Sequence, residues 1–203
     1  MSSQIGEPER PKRGRPRRFD VESALDAMTD LFWRQGYGAT SLDDLVAASG
    51  ASRASLYGVW GDKDALFAAA LGRYAERFTR RVDAALAETP DRRAALARIL
   101  NESADRLADG DRPPGCLRCR AMLELRGRPT LDAALDAAEA AFRTDAARLL
   151  GTAPEDGAVA FFTAIVDGMV VLAEAGADRA TLDAVLTRAL DQLAPLASPA
   201  PAR

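Results

Sequence analysis

The chain has 203 residues, 48% of them hydrophobic, and a formal net charge of −3 from 27 Lys and Arg against 30 Asp and Glu. That length suits a small reading module plus a larger helical domain, and the apolar share is enough for a sizeable core. There is no His and there are only two Cys, so His triads, His proton shuttles and His metal sites are excluded, and Cys116-x-x-Cys119 supplies two of the four ligands a zinc site usually needs.

The first 18 residues are polar, with no apolar run of the kind a secretory signal carries. They hold Arg10, Lys12, Arg13, Arg15, Arg17 and Arg18 against Glu7 and Glu9, a net charge of +4. Gly14 and Pro16 oppose helix formation there, so a basic flexible arm is expected over residues 1–18. Residues 19–63 carry a net charge of −4, so the cationic charge of the N-terminal third is concentrated in that arm. With two thiols and no signal sequence, a reducing, cytoplasmic setting is expected. No stretch reads as a membrane span.

Helix 1 is predicted from Asp20, its N-cap, to Gln35, with Gly36 ending it. Its inward face is Val21, Ala24, Leu25, Met28, Leu31 and Phe32. A second helix starts after Thr40 or Ser41, with Asp44 where a capping box places an acid. Ser49-Gly50-Ala51 interrupts it, and Ser52 caps a short third helix from Arg53 to about Gly58. A helix that short is stable only when packed crosswise on its neighbour, as in a helix-turn-helix. Leu56 faces inward. Arg53, Ala54, Ser55 and Tyr57 remain for an outside partner, and they are small, hydroxylic or cationic, as major-groove entry requires.

Helix 4 is predicted over about residues 62–87, linking the two domains. Helix 5 covers about residues 91–108. A shorter helix runs from about Cys116 to Leu125. Thr130 is expected to cap helix 7, which reaches Leu150, and Pro154 to sit in the first turn of helix 8. Residues 158–173 are apolar almost all round, with Asp167-Gly168 the main break, so that helix must be covered on all sides. Helix 9 runs from about Arg179 to Leu193, and residues 195–203 form a disordered tail.

The segment from Phe19 to about Phe78 resembles the DNA-binding domain of the TetR (tetracycline-repressor-like) transcriptional regulators. The resemblance rests on Leu31-Phe32-Trp33, Gly36-Tyr37, Thr40, Gly50-Ala51-Ser52, Leu56-Tyr57, Trp60 and Lys63. Two positions depart from the pattern: Val59 stands where the family often has His, and Trp60 where it often has Phe. The resemblance implies an all-α fold of about nine helices. A three-helix helix-turn-helix domain (residues 19–63) would precede a ligand-sensing and dimerisation domain (residues 64–194). It implies a homodimer on a palindromic operator of double-stranded DNA, with a small-molecule effector, no cofactor, and repression as the main action.

Thr40, Ser52, Tyr57 and Lys63 would then hold phosphates, Arg53 would read a base, and Arg15, Arg17 and Arg18 would track phosphates or enter the minor groove. The pocket candidates are Phe78, Leu100, Leu107, Arg118, Met122, Phe142, Phe162 and Ile165. Phe161, Ile165, Val170, Leu182, Leu186 and Leu190 are the candidates for the dimer face. Arg118 can serve an anionic effector or pair with an acid on a neighbouring helix. Cys116 and Cys119 are either plain core or an oxidant- or electrophile-sensing thiol switch. Transcriptional activation, an adaptor without operator binding, and an enzyme are the remaining alternatives; no catalytic constellation is visible to support the last.

Overall fold

A computed structural model describes residues 20–111, 113 and 115–193. The basic arm with Arg15, Arg17 and Arg18, and the C-terminal tail, lie outside the described residues. Among those described there are nine helices and no strand. They are α1 (Val21–Ala39), α2 (Leu42–Ser49), α3 (Arg53–Trp60), α4 (Lys63–Glu88), α5 (Arg92–Ala108), α6 (Leu117–Leu125), α7 (Pro129–Leu150), α8 (Gly157–Glu174) and α9 (Arg179–Leu193).

Polar caps set most of these boundaries. Asp20, Ser41, Ser52, Asp62 and Asp91 each accept a backbone N–H from the first turn of the helix that follows, satisfying donors that the helix itself leaves open. Ser41 and Asp44 form the full capping box. Gly36 has φ +80° and breaks α1 from within, so the regular helix ends at Gln35 as the sequence indicates.

Three starts differ from expectation. Cys116 is the N-cap of α6 rather than its first residue. α7 begins at Pro129 with Arg128 as its N-cap, because the Thr130 hydroxyl is engaged by Asp64 of α4. α8 begins at Gly157 and not near Pro154, because the Asp156 carboxylate caps it from Ala158 N at 2.7 Å and is braced by Thr152 at 2.9 Å. A carboxylate cap two residues downstream outcompetes a proline start.

The core has two clusters. One lies around Val82, Leu96, Ile99, Phe162 and Leu186, between α4, α5, α7, α8 and α9. The other joins Met28, Phe32, Leu45, Leu56 and Phe67 of the N-terminal helices to Leu117, Leu125, Leu131 and Leu135 of α6 and early α7. The N-terminal helix-turn-helix head is therefore packed onto α6 directly as well as through α4. Ion pairs from Arg77 to Asp26 and Asp30, and from Arg73 to Glu22, fix α1 along α4.

By length and composition α8 could cross a membrane, contrary to the sequence expectation. Within this fold it packs on α5, α7 and α9, and its Asp167 is bound by Arg118.

Candidate DNA interface and sensing cavity

The first site is the outer face of α3. Ser52 Oγ accepts Ser55 N–H at 3.1 Å and starts the helix. Gly50, at φ +66°, makes the sharp turn before it, a conformation that costs glycine little. Leu56 is fully buried and is the only residue of α3 that is. Arg53, Ala54, Tyr57, Gly58 and Val59 are exposed, and Ser55 is half-buried. This sequence presents one side of a short helix to solvent and anchors it by one leucine.

Arg53 donates to Asp43 of α2 at 2.6 Å, with both side chains largely exposed. Such a pair contributes little to stability and can be exchanged for another acceptor. Val59 is 48% exposed. The resemblance offered no role for it, although its position one helical turn beyond Ser55 is readable from spacing alone.

Thr40 requires correction as a phosphate ligand. Its side chain is buried and its hydroxyl donates to Gly36 O at 2.7 Å. It closes the end of α1, and the exposed hydroxyl next to it belongs to Ser41. Lys63 opens α4 with its Nζ 4.2 Å from the centre of the Tyr37 ring, and the Arg128 guanidinium is 4.8 Å from the same ring. Burial first, then the nearby Arg128 charge, lowers the pKa of Lys63. Asp64, held by Thr130, Tyr37 and Arg128, has its carboxyl pKa lowered, the Thr130 hydrogen bond being the main cause. Tyr37 is pushed up to about 12, by burial and then by the Asp64 carboxylate. This cluster joins α1, α4 and α7 beside the end of α3.

The second site is a cavity of about 100 Å³ between α1, α4, α5, α6, α7 and α8. Phe78, Leu107, Arg118 and Phe142 line it, as expected. Leu100 and Phe162 are fully buried core instead, Ile165 packs against that core, and Met122 packs against the head cluster. Spacing identified an inward face in each case; which inward residues meet a gap depends on how the helices cross. Trp33, Tyr74, Arg81, Ser103, Cys116 and Val166 also line the cavity. The first two had the signature of head core, and each is core on one side and wall on the other.

Arg118 donates to Glu139 of α7 at 2.6 Å and to Asp167 of α8, and its guanidinium lies 4.1 Å from the Phe142 ring centre. Two carboxylates more than balance its single charge, so the structure makes it a tie between three helices rather than an unpaired site for an anionic effector. Arg120 and Glu124 are near each other at 3.9 Å, and Arg120 also donates to Trp33 O at 3.3 Å.

The thiols differ in their surroundings. Cys116 lines the cavity and accepts a hydrogen bond from the Tyr74 hydroxyl at 3.5 Å. Cys119 does not line it; its thiol lies 3.1 Å from Asp167 Oδ1 and 3.6 Å from Arg118 Nη2. The hydrogen bond from Cys119, then the Arg118 charge, lowers the pKa of Cys116, while that same bond and burial hold Cys119 up.

The expected dimer face also changes. Val170, Leu182 and Leu186 are buried within the subunit, and Ile165 and Leu190 pack half-buried on the same core. Phe161 is exposed. With Ala160, Ala164, Gly168, Val171 and Leu172 it forms an exposed apolar stripe along α8. The apolar stripe of α9 is spent inside the subunit, so of these two helices it is α8 that carries the uncovered apolar row.

A helix-turn-helix head with an outward, polar third helix, joined through a long fourth helix to a cavity-bearing helical domain, defines a DNA-binding transcriptional regulator. Residues 24–70 match the family of bacterial regulatory proteins, tetR family, and residues 91–195 match the tetracyclin repressor-like C-terminal domain. The chain belongs to the TetR family. The HTH-type transcriptional repressor ComR of Escherichia coli (strain K12) is 44% identical over 105 residues, 51% of this chain and 50% of that protein. The HTH-type transcriptional repressor BdcR of the same organism is 33% identical over 106 residues, 51% and 53% of the two chains. The chain thus aligns with about half the length of the curated relatives it matches. A solved structure of the TetR family regulator CifR, a cysteine mutant complexed with 26-bp double-strand operator DNA, is 30% identical. The match covers 89% of this chain and all of that one, with a TM-score of 0.71. SCO4454 from Streptomyces coelicolor, at 19% identity and a TM-score of 0.72 over 88% of this chain and 89% of that one, shares the fold.

Proposed function

We propose that this chain is a cytoplasmic transcriptional repressor that binds a palindromic operator as a homodimer and is released when a small molecule occupies the α4–α8 cavity. The observation that carries this reading is the outward face of α3, anchored by Leu56 and capped by Ser52. Arg53 reads a base edge after leaving Asp43. Ser52, Tyr57 and Lys63 hold phosphates, and Val59 offers an apolar contact of the kind a thymine methyl accepts. The arm, with Arg15, Arg17 and Arg18, supplies the long-range attraction that the acidic head lacks.

The α8 stripe supports dimerisation. An exposed row including Phe161, Val171 and Leu172 is favourably covered by a second copy related by a two-fold axis, and that symmetry matches two half-sites. Occupation of the cavity shifts α4, whose first turn carries Lys63, and so shifts the half-site spacing; this is a change in the population of two dimer geometries. Selection of bound DNA from a random pool tests the reading: an inverted repeat is expected, and a pool with no enriched sequence would contradict it. A thiol-switch reading of the signal is favoured by one observation, the presence of Cys116 in the cavity wall.

A further inference from the structure

The cavity contains a nucleophile that non-covalent binding leaves unused. Phe78, Leu107, Phe142 and Val166 form an apolar part of its wall, Arg77, Arg81, Arg106 and Arg118 form a cationic part, and Cys116 opens onto it. Three further observations converge on that sulfur. Cys116 is the N-cap of α6, a place where the helix end favours a negative charge. The Tyr74 hydroxyl donates to it at 3.5 Å. Cys119 stands one turn further on, away from the cavity, with its thiol 3.1 Å from the Asp167 carboxylate.

We propose that the cavity is a reaction site for a small organic hydroperoxide, with Cys116 as the attacking sulfur and Cys119 as the thiol that closes a disulfide. The inference rests on the repressor reading only for its consequence at DNA. An alkylating electrophile would use Cys116 and leave Cys119 without a part, whereas an oxidant uses both thiols and the carboxylate. The apolar lining selects an oxidant with a hydrocarbon end over hydrogen peroxide. At about 100 Å³ the cavity has room for a group of tert-butyl size beside Phe78, Leu107 and Phe142.

The Cys116 thiolate attacks the outer oxygen of R–O–O–H, and the O–O bond breaks. The R–O oxygen leaves as alkoxide and takes a proton from solvent, giving the alcohol, and Cys116 becomes a sulfenic acid. The Cys119 thiol gives its proton to Asp167 and attacks the Cys116 sulfur. Hydroxide leaves, takes that proton and departs as water. Two thiols are oxidised to one disulfide while the hydroperoxide is reduced to alcohol and water.

The consequence for the head lies in the next residue. Gly115 O accepts the indole N–H of Trp33 at 3.1 Å, and Trp33 packs edge-on against Tyr74 with ring centres 5.2 Å apart. A disulfide needs its Cβ atoms about 3.5–4.5 Å apart, closer than the about 5–6 Å usual three residues along a helix. Cys116 has extended backbone at the N-cap, so it is the residue that moves. It draws Gly115 away from Trp33 and releases Tyr74, both of which hold α1 and α4 in register.

The test uses the reduced full-length protein and intact mass. With stoichiometric tert-butyl hydroperoxide the chain is expected to lose two hydrogen atoms, at least about tenfold faster than with hydrogen peroxide, the smallest advantage expected of an apolar subsite. Cys119→Ser is expected to stop after gaining one oxygen, trapped by a sulfenic-acid reagent, and Cys116→Ser is expected to stay unchanged. Loss of a labelled operator should follow the mass change in wild type. Equal rates with both peroxides, an unreacted wild type, or oxidation that starts in Cys116→Ser would each overturn the proposal. So would an adduct and operator release with an α,β-unsaturated ketone where the hydroperoxide gives neither. Failure of the reduced protein to bind any operator, with the mass change intact, would instead remove the repressor reading and leave the reaction site standing.

Discussion

The α3 face and the α4–α8 cavity follow opposite designs. The α3 face is exposed and anchored by the single buried Leu56, and its one ion pair, Arg53–Asp43, lies in solvent. The cavity is walled by aromatic rings and bordered by Arg118, whose partners come from α7 and α8. A surface that must meet DNA keeps its polar groups loosely held, so that exchanging a protein partner for a phosphate or base edge costs little. The cavity, by contrast, keeps its polar groups tied across helices, so that a small displacement is felt by all of them. Changes to the exposed side chains of α3 should therefore cost function without stability, and changes at the cavity border should cost stability.

The largest expected effect breaks the cavity side. Arg118→Ala leaves Glu139 and Asp167 without their cation; the cost of about 3–5 kcal/mol for a fully buried pair is an upper bound, because water reaches both carboxylates. Thermal or urea unfolding should show a loss up to that size; a change under about 1 kcal/mol would mean the tie is slack. Next is Leu56→Ala, expected to cost about 2–5 kcal/mol and to abolish operator binding, since it removes the one anchor of α3. Phe161→Glu combined with Val171→Glu should yield monomers in sedimentation with the subunit fold kept, because both side chains are exposed in the subunit. A stable dimer after those changes would move the interface away from α8.

Arg53→Ala sharpens the comparison on the DNA side. It should relax one base preference per half-site at about 1–3 kcal/mol, with stability unchanged because its Asp43 partner is exposed. Lys63→Ala should weaken every sequence alike and flatten the salt slope by about 0.9 per lost phosphate contact.

The smallest effect concerns Asp64, which fastens α4 to α7. Its carboxyl pKa is lowered in the fold, so its contribution is complete above the ordinary aspartate range and is lost as pH falls through the depressed value. Asp64→Asn should remove that part of the acid dependence of unfolding while leaving stability at pH below it unchanged. An identical pH profile in the variant would show that Asp64 adds nothing to the docking.

How much of this was legible in the sequence divides along the same line. The head is local: Ser41 with Asp44, Gly50, and Ser52 before Arg53 are short-range signals, and the structure uses each as expected. Gly36 and the cap Asp20 belong to the same group. Where a residue far along the chain competes, local rules fail. Thr130 did not cap α7 because Asp64, 66 residues earlier, takes its hydroxyl. Thr40 points inward because α1 breaks at Gly36 and offers its carbonyl.

The cavity depends on distance between helices, which periodicity does not contain. Phe142 and Phe162 look alike in sequence, yet one lines the gap and the other fills the core. Trp33 and Tyr74 belong to the head by pattern and to the cavity wall by geometry. α8 is apolar all round, so only its packing against α5, α7 and α9 shows that Val170 faces inward and Phe161 outward.

The central claim is that two copies of α3 read two half-sites of one operator. Selection of DNA from a random pool by the full-length reduced protein tests it most directly. The account predicts an inverted repeat whose half-site centres lie about one helical turn (roughly 34–36 Å), or a multiple of it, apart. Enrichment of a single unpaired half-site, or of no sequence at all, would contradict it.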